Sequence, residues 1–520
     1  MFQQLAQDLE RPRAVWMLLG VFLLGCLLYL PTAMLLPIDG DEGFYLLAAK
    51  LVFQGQHLYT DFFYPQMPLQ PYVYGLWLKV FGCTWYSARL FTALLAVLTG
   101  VLLYQYVADS VGKRSLALLA AALYCFSTIS LGWCTVAKTH ALATFLVMAA
   151  LVLLPRAGQP GNRRRYLLSG LLLGLAVDTR LLFLAGALAV VIALWRSAGS
   201  RSERSTRIGW LLVGVGVGLL PNLWFIAANA GNYFFCNLGY HSLRTQFGLI
   251  GGLGQKFFTL LQLAGAAKGG GNISLQFPLL LLANCYYLVL AGLLRKRLSV
   301  ACWVAAALAM VSLLPTPTFV QYFAVVAPFL IINSVLMVGW LGDVGREAVV
   351  RRSLTALLAI LLAAYLLVTP LDLTRYLFPR TEPGVSGAGA LNWQIATVAE
   401  VARRVDALTV PGEAVLTWWP GYLVESHSVA LPKLENHFGL WVADQAAAAG
   451  RRLSQAELDR YRLISEAEIA EHLRERTTRV VVLGNWVSDE AKARYRSLLA
   501  ESGYRLVSEL YDTQIYLVGG

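Results

Sequence analysis

Four carboxylates crowd one short stretch of this chain: Asp39, Asp41, Glu42 and Asp61 fall within 23 residues. Residues 1–370 contain only eleven Asp and Glu, so the cluster is not a sampling accident. Of the other seven, Asp8, Glu10, Asp109, Glu203, Asp343 and Glu347 lie in short polar segments, and Asp178 interrupts an apolar run. Ionisable groups at an apolar boundary are costly to desolvate and tend to mark function. A carboxylate within hydrogen-bond reach of a hydroxyl or amine can take its proton as a general base. Neighbouring carboxylates repel, which favours protonation of one of them. Adjacent helix residues do not share a face. Asp41-Glu42 therefore reads as one base with one helper. For Asp39 and Asp61 an ordinary solvated loop charge is the competing reading.

The elements that must position this cluster are apolar. The 520 residues are 58% hydrophobic and 14% charged, with a mean hydropathy of +0.59, against about 25% charged for soluble domains. Apolar runs near the roughly 20 residues needed to cross a bilayer recur through residue 370. They predict about eleven helices, near 14–36, 90–108, 115–133, 138–155, 166–179, 181–196, 208–228, 276–294, 299–314, 319–341 and 353–370. Asp178-Thr179-Arg180 makes the region 166–196 the hardest to divide, and 72–82 reads as an interfacial or re-entrant segment. The first run is too long for a signal-peptide core and is expected to be an uncleaved membrane helix.

The net charge of +12 is not a nucleic-acid signal, because the basic residues form short blocks between apolar runs, such as Arg163-Arg164-Arg165 and Arg295-Lys296-Arg297. Loops of this kind are held on the cytoplasmic side. With the N-terminus inside, the short inner segments before residue 371 hold eighteen Lys and Arg and the outer ones eight. This orientation places the loops 37–89 and 229–275 outside. From 371 to 520 charged residues become dense and short strand-like runs (415–419, 479–483, 514–518) alternate with amphipathic helices (455–476, 488–502). The expected architecture is thus a polytopic α-helical membrane domain, 1–370, followed by an extracytoplasmic α/β domain, 371–520.

The outer segments offer few cations for a phosphate: Lys50, Lys79, Arg89, Lys138, Arg180, Arg244, Lys256 and Lys268. His241 and Arg244, three apart and on one face of a helix if one forms, are the first candidates. Lys138 and Arg180 are the next, although an interfacial His, a snorkelling Arg and an Arg180–Asp178 pair are structural alternatives. His427 and His437 lie near Glu425 and Glu435 and read as a solvated loop rather than a metal cluster. No metal motif is visible, and a divalent metal is left open. The seven cysteines contain no Cys-x-x-Cys pair and give no redox or metal signal. No Gly-rich phosphate loop follows a strand.

The stretches Asp39-Gly40-Asp41-Glu42-Gly43-Phe44-Tyr45, Gly55-Gln56-His57-Leu58-Tyr59-Thr60-Asp61-Phe62 and Tyr64-Pro65-Gln66-Met67-Pro68-Leu69, with Arg89-Leu90 opening the next helix, resemble the first outer loop of family 39-type glycosyltransferases of the GT-C class. That group includes protein O-mannosyltransferases and the aminoarabinose transferase that modifies lipid A. The resemblance implies a hexosyl- or pentosyltransferase of the cell envelope, moving a sugar from a polyprenyl-phosphate donor such as undecaprenyl phosphate. The acceptor would be a lipid, glycan or protein on the non-cytoplasmic, periplasmic face of a bacterial inner membrane. It implies Asp41 as base, Glu42 as its helper, and Tyr45, Asp61, Tyr64 and Gln66 as acceptor or loop-positioning residues. Two positions depart from the pattern. Gln66-Met67 stands where the family often has a Lys before the Pro, and Ala137-Lys138-Thr139-His140 has no acid where a second one is expected. A transporter or flippase of a lipid-linked sugar is the alternative, as is a non-catalytic protein of this fold. No internal repeat of transporter type is seen.

Overall fold

The computed structural model of the chain describes residues 12–155, 162–243, 248–267, 274–341, 348–377, 388–448 and 450–519. Helices dominate to Leu377. They are α1 (Pro12–Leu35), α2 (Gly40–Phe53), α3 (Leu69–Phe81), α4 (Trp85–Val111), α5 (Arg114–Cys125), α6 (Thr128–Trp133), α7 (Thr139–Leu153) and α8 (Arg163–Thr179). Then come α9 (Leu184–Trp195), α10 (Arg201–Leu219), α11 (Asn222–Phe234), α12 (Gly248–Leu263), α13 (Gln276–Leu293), α14 (Val300–Ser312), α15 (Ala327–Trp340) and α16 (Ala348–Leu367), with short turns between some of them.

Among the described residues, four helical stretches are long and apolar enough to cross a membrane: Val15–Leu35, Trp85–Val111, Gln276–Leu293 and Arg352–Asp372. The pair Arg201–Leu219 and Asn222–Ser242, bent by 59°, is either one broken span, which would be a fifth, or a re-entrant loop. Pro221 sits at that bend, where a missing N–H and a fixed φ interrupt the helical ladder. Five further apolar helices are shorter. The expected single run 115–133 is two helices, parted at Phe126-Ser127, and 319–341 opens with a 3-10 turn, Val320–Phe323, before α15. Residues 72–81 lie in α3, which Gly82 ends, and Arg180 separates α8 from a 3-10 turn at Leu181–Phe183.

Helices α8 and α10 approach through glycines. A Cβ on Gly170 would lie 2.0 Å from the Leu211 carbonyl oxygen, and one on Gly174 would lie 2.5 Å from that of Val215. Small residues that let backbones meet are the usual means of helix association in a bilayer. This contact fixes α8, and so the position of Arg180 at its end.

The C-terminal region carries five strands, β1 (Ala414–Thr417), β2 (Val429–Ala430), β3 (Val480–Leu483), β4 (Tyr504–Leu510) and β5 (Thr513–Val518), in the order β2-β1-β3-β5-β4. β1 runs parallel to β2 and β3, and β5 is antiparallel to β3 and β4. β1, β3 and β5 fall on the three strand-like runs of the sequence. The expected helix 455–476 is two, Gln455–Tyr461 and Glu466–Glu475, divided at Arg462, whose φ of 57° is left-handed. Helix Asp489–Glu501 follows its Ser488 N-cap as expected.

This sheet domain is fastened to the first loop region by side chains that bond main-chain groups. Trp419 Nε1 donates to Gly40 O (2.8 Å), Lys50 Nζ to Leu423 O (2.8 Å), and Arg462 Nε to Thr60 O (3.0 Å). Glu425 accepts from the Trp85 amide at 2.7 Å, and the Trp85 and Trp419 indoles stack at 6.0 Å.

Candidate functional site

The acidic turn begins as a helix cap. Asp39 is the N-cap of α2, and Glu42, three residues on, returns its carboxylate to the Asp39 amide (2.8 Å), completing a capping box. The spacing Asp39-x-x-Glu42 is the sequence signature of this cap. Glu42 is fully buried. Its oxygens also accept from Arg89 Nη2 (2.5 Å) and Nε (3.0 Å) and from the Ala137 amide (2.7 Å). Arg89, equally buried, donates in addition to the carbonyls of Ala33, Leu36 and Pro37 at the end of α1. One ion pair thus ties α1, α2, α4 and the segment before α7 together. Its acceptors are engaged, so Glu42 supports the turn.

Asp41 is placed differently. Lys138 Nζ lies 2.7 Å from both Asp41 Oδ2 and Asp39 Oδ1, and donates to Gln321 Oε1 at 3.0 Å. The Asp41 side chain is 27% exposed, Asp39 13% and Lys138 4%. Burial opposes the lysine's charge, but the two carboxylates outweigh it and hold its pKa above the ordinary value. The Glu42–Arg89 pair is neutral, and two aspartates with one lysine leave a net charge of −1 at the turn. Its most accessible carboxylate is Asp41. Lys138 occupies the position where the resemblance led one to look for a second acid.

Arg180 lies across from this turn. Its guanidinium is 3.0 Å from His140 Nε2 and 4.8 Å from the Tyr322 ring centre, and no carboxylate pairs with it among the described residues. Asp178 instead accepts from Asn222 Nδ2 at 2.7 Å. The Tyr45 phenol is buried; burial and the Asp41 charge raise its pKa, while Arg180 and Lys138 oppose them.

The other expected residues are spread more widely. Asp61 accepts from the His57 amide (2.7 Å) and contacts His57 Nδ1 (3.2 Å), a local turn. Tyr64 is fully buried with its hydroxyl unpartnered, and Tyr59 donates to the Gln66 carbonyl at 2.6 Å. These shape the loop behind α2. His241 is exposed in a helical turn, Tyr240–Ser242, and its intended partner Arg244 lies outside the described residues. Among the described residues no group of three His, Cys, Asp or Glu could hold a metal.

Residues of the sheet domain to which the sequence assigned no place at this turn also meet it. A Cβ on Gly40 would fall 2.2 Å from the Trp486 ring, and one on Gly43 would fall 2.9 Å from Gly421 N and Trp419 Nε1. The glycines flanking Asp41-Glu42 therefore let this domain close onto the turn. His437 lies 4.1 Å from Trp486, the two rings tilted by 54°, and meets Phe44 of α2 at 5.8 Å. It is buried, not in a solvated loop, and burial pushes its pKa down to about 3.

Residues 65–225 match the family model described as dolichyl-phosphate-mannose-protein mannosyltransferase. A search of curated proteins found no sequence match. Two solved structures superpose along nearly the whole chain. ArnT from Cupriavidus metallidurans in the apo state has a TM-score of 0.64 at 14% identity, covering 98% of this chain and 100% of that one. The same enzyme bound to undecaprenyl phosphate has a TM-score of 0.61 at 14% identity, covering 97% and 99%. The chain thus has the fold of ArnT and carries the mannosyltransferase family pattern over residues 65–225, in agreement with the resemblance stated from the sequence.

Proposed function

We propose that the protein is a glycosyltransferase that moves a sugar from a polyprenyl-phosphate donor to an acceptor on the non-cytoplasmic face of the membrane. The observation that carries this is a partly exposed Asp41 held by Lys138, while Arg180 keeps no carboxylate partner among the described residues. Asp41 is a partly exposed carboxylate on a turn made rigid by a capping box and a buried ion pair. It takes the proton of the acceptor hydroxyl or amine as that group attacks the anomeric carbon. The anomeric C–O bond breaks, and its electron pair leaves on the lipid phosphate. Arg180 receives that phosphate, since a guanidinium binds phosphate oxygens bidentately. Lys138 is committed to Asp39, Asp41 and Gln321 and acts as a positioning residue. Undecaprenyl phosphate, present in one ArnT structure, is the donor lipid to try first. In this reading the N-terminus is cytoplasmic and the sheet domain roofs the site from outside.

Purified protein in lipid nanodiscs, supplied with undecaprenyl-phosphate-linked sugars and an envelope extract, tests it. Wild type transfers sugar, Asp41→Asn stays folded and does not, and Arg180→Ala weakens binding of the donor lipid. Equal transfer by wild type and Asp41→Asn would overturn the assignment of the base.

A further inference from the structure

Arg180 differs from the other cations around the acidic turn in what holds it. Arg89 and Lys138 are each paired with carboxylates. Arg180 is held by two rings: its Nη1 lies 3.0 Å from His140 Nε2, and its guanidinium 4.8 Å from the Tyr322 ring centre. Asp178, two residues away, bonds Asn222 instead (2.7 Å). A guanidinium only donates. His140 Nε2 therefore carries the lone pair, the ring hydrogen sits on Nδ1, and the imidazole is neutral in this contact. The ring is 1% exposed, and its Nδ1 is buried without a partner. Among the described residues the His140 side chain makes no hydrogen bond except the one to Arg180. A buried donor left unmade is unfavourable, so the ring does not owe its place to a bonding network of its own. Its polar contact is with the arginine alone.

A neutral acceptor does what a carboxylate cannot. Either would orient the guanidinium, but a carboxylate would also cancel its charge and weaken its pull on a phosphate. His140 stands in the first turn of α7, two residues from Lys138. Lys138 reaches Asp41 and Asp39 (2.7 Å each), and the Ala137 amide reaches Glu42 (2.7 Å). One short stretch of main chain, 137–140, therefore holds the base, its helper and the arginine assigned to the phosphate. We propose that His140 is the positioning residue of Arg180. It accepts from Nη1 and, by staying neutral, leaves the whole guanidinium charge and the remaining N–H donors to the donor phosphate. This rests on the transferase reading, in which Arg180 receives that phosphate, and adds the residue that aims it.

Binding of radiolabelled undecaprenyl phosphate to the full-length protein in detergent, with the melting temperature of each variant measured alongside, tests this without any turnover. His140→Leu removes a buried donor that bonds nothing, so it should melt at or above the wild-type temperature. Its dissociation constant for the lipid should nevertheless rise about tenfold, the scale of one charged hydrogen bond. His140→Gln supplies another neutral acceptor and should restore most of the affinity. His140→Glu keeps the hydrogen bond but adds the cancelling charge, and should bind the lipid more weakly than His140→Gln. If His140→Glu does not fold, the Leu and Gln variants decide the matter between them. A ring that merely fills space predicts affinities that follow the melting temperatures. That pattern, or wild-type affinity in His140→Leu, would overturn the positioning role. Arg180→Ala separates this role from the reading beneath it. Wild-type binding by Arg180→Ala would remove both the role and the assignment of Arg180 to the phosphate. Lost binding in Arg180→Ala beside wild-type binding in His140→Leu would remove the role of His140 alone.

Discussion

The two sides of the junction between helices and sheet domain are built on opposite terms. On the helical side Glu42, Arg89 and Lys138 are buried charges, and each is bonded from several directions. On the facing side the Glu435–His437 segment keeps four buried polar atoms without partners. Buried charges are tolerated when fully paired, so the first side is rigid before any ligand arrives. The second holds groups whose unmade bonds cost about 1–3 kcal/mol each, which makes it the weaker side of the junction.

The difference can be attacked from either side. Asp41→Asn should lower sugar transfer by about 10²–10⁴-fold, the usual contribution of a general base, while the melting temperature in nanodiscs stays close to wild type. Arg89→Met leaves Glu42 buried and unpaired, which costs about 3–5 kcal/mol. Thermal unfolding should show the loss, and transfer should fall with it.

On the facing side, burial raises the Glu435 carboxyl from 4.5 to about 7. The folded state then keeps a proton that the unfolded state has lost, so its contribution to stability falls as pH rises from about 4.5 to about 7. Glu435→Gln should therefore match wild type below pH 4.5 and exceed it above pH 7, by up to about 3 kcal/mol at 1.36 kcal/mol per pH unit. His437 has the opposite sign, because its pKa is lowered from 6.5 to about 3. Stability from its neutral form is lost as pH falls from about 6.5 to about 3, and His437→Phe should flatten that limb in a pH series of melting curves. The smallest expected effect is Gly40→Ala, which drives a methyl into the Trp486 ring. Overpacking of this kind costs about 1–3 kcal/mol. Displacement of Trp486 should show as a lowered melting temperature at unchanged donor binding.

Much of the helical side was legible in the sequence because its signals are local. Asp41 and Glu42 stood out by the scarcity of acids around them, and the loop motif pointed to Arg89. The pairing of Lys138 with Asp39 and Asp41 was not legible, since nothing in a sequence without an alignment links positions about a hundred residues apart. Hydropathy found the apolar regions but merged α5 with α6, because Phe126-Ser127 breaks a helix without Pro or Gly. β4 was missed for a related reason. Most of its residues are not buried, so it lacks the alternation that marks a strand. His437 and Trp486 carried no pattern, because burial at a domain junction comes from the fold and leaves no periodic trace.

The fastening of the sheet domain has an evolutionary consequence. Trp419 reaches the carbonyl of Gly40, Lys50 that of Leu423, Arg462 that of Thr60, and Glu425 the amide of Trp85. In each contact one partner is main chain, which every residue type supplies. Half of each bond is therefore immune to mutation, and a substitution on that side needs no matching change on the other. An architecture joined in this way can drift far in sequence before its parts separate, as a shared fold at 14% identity illustrates.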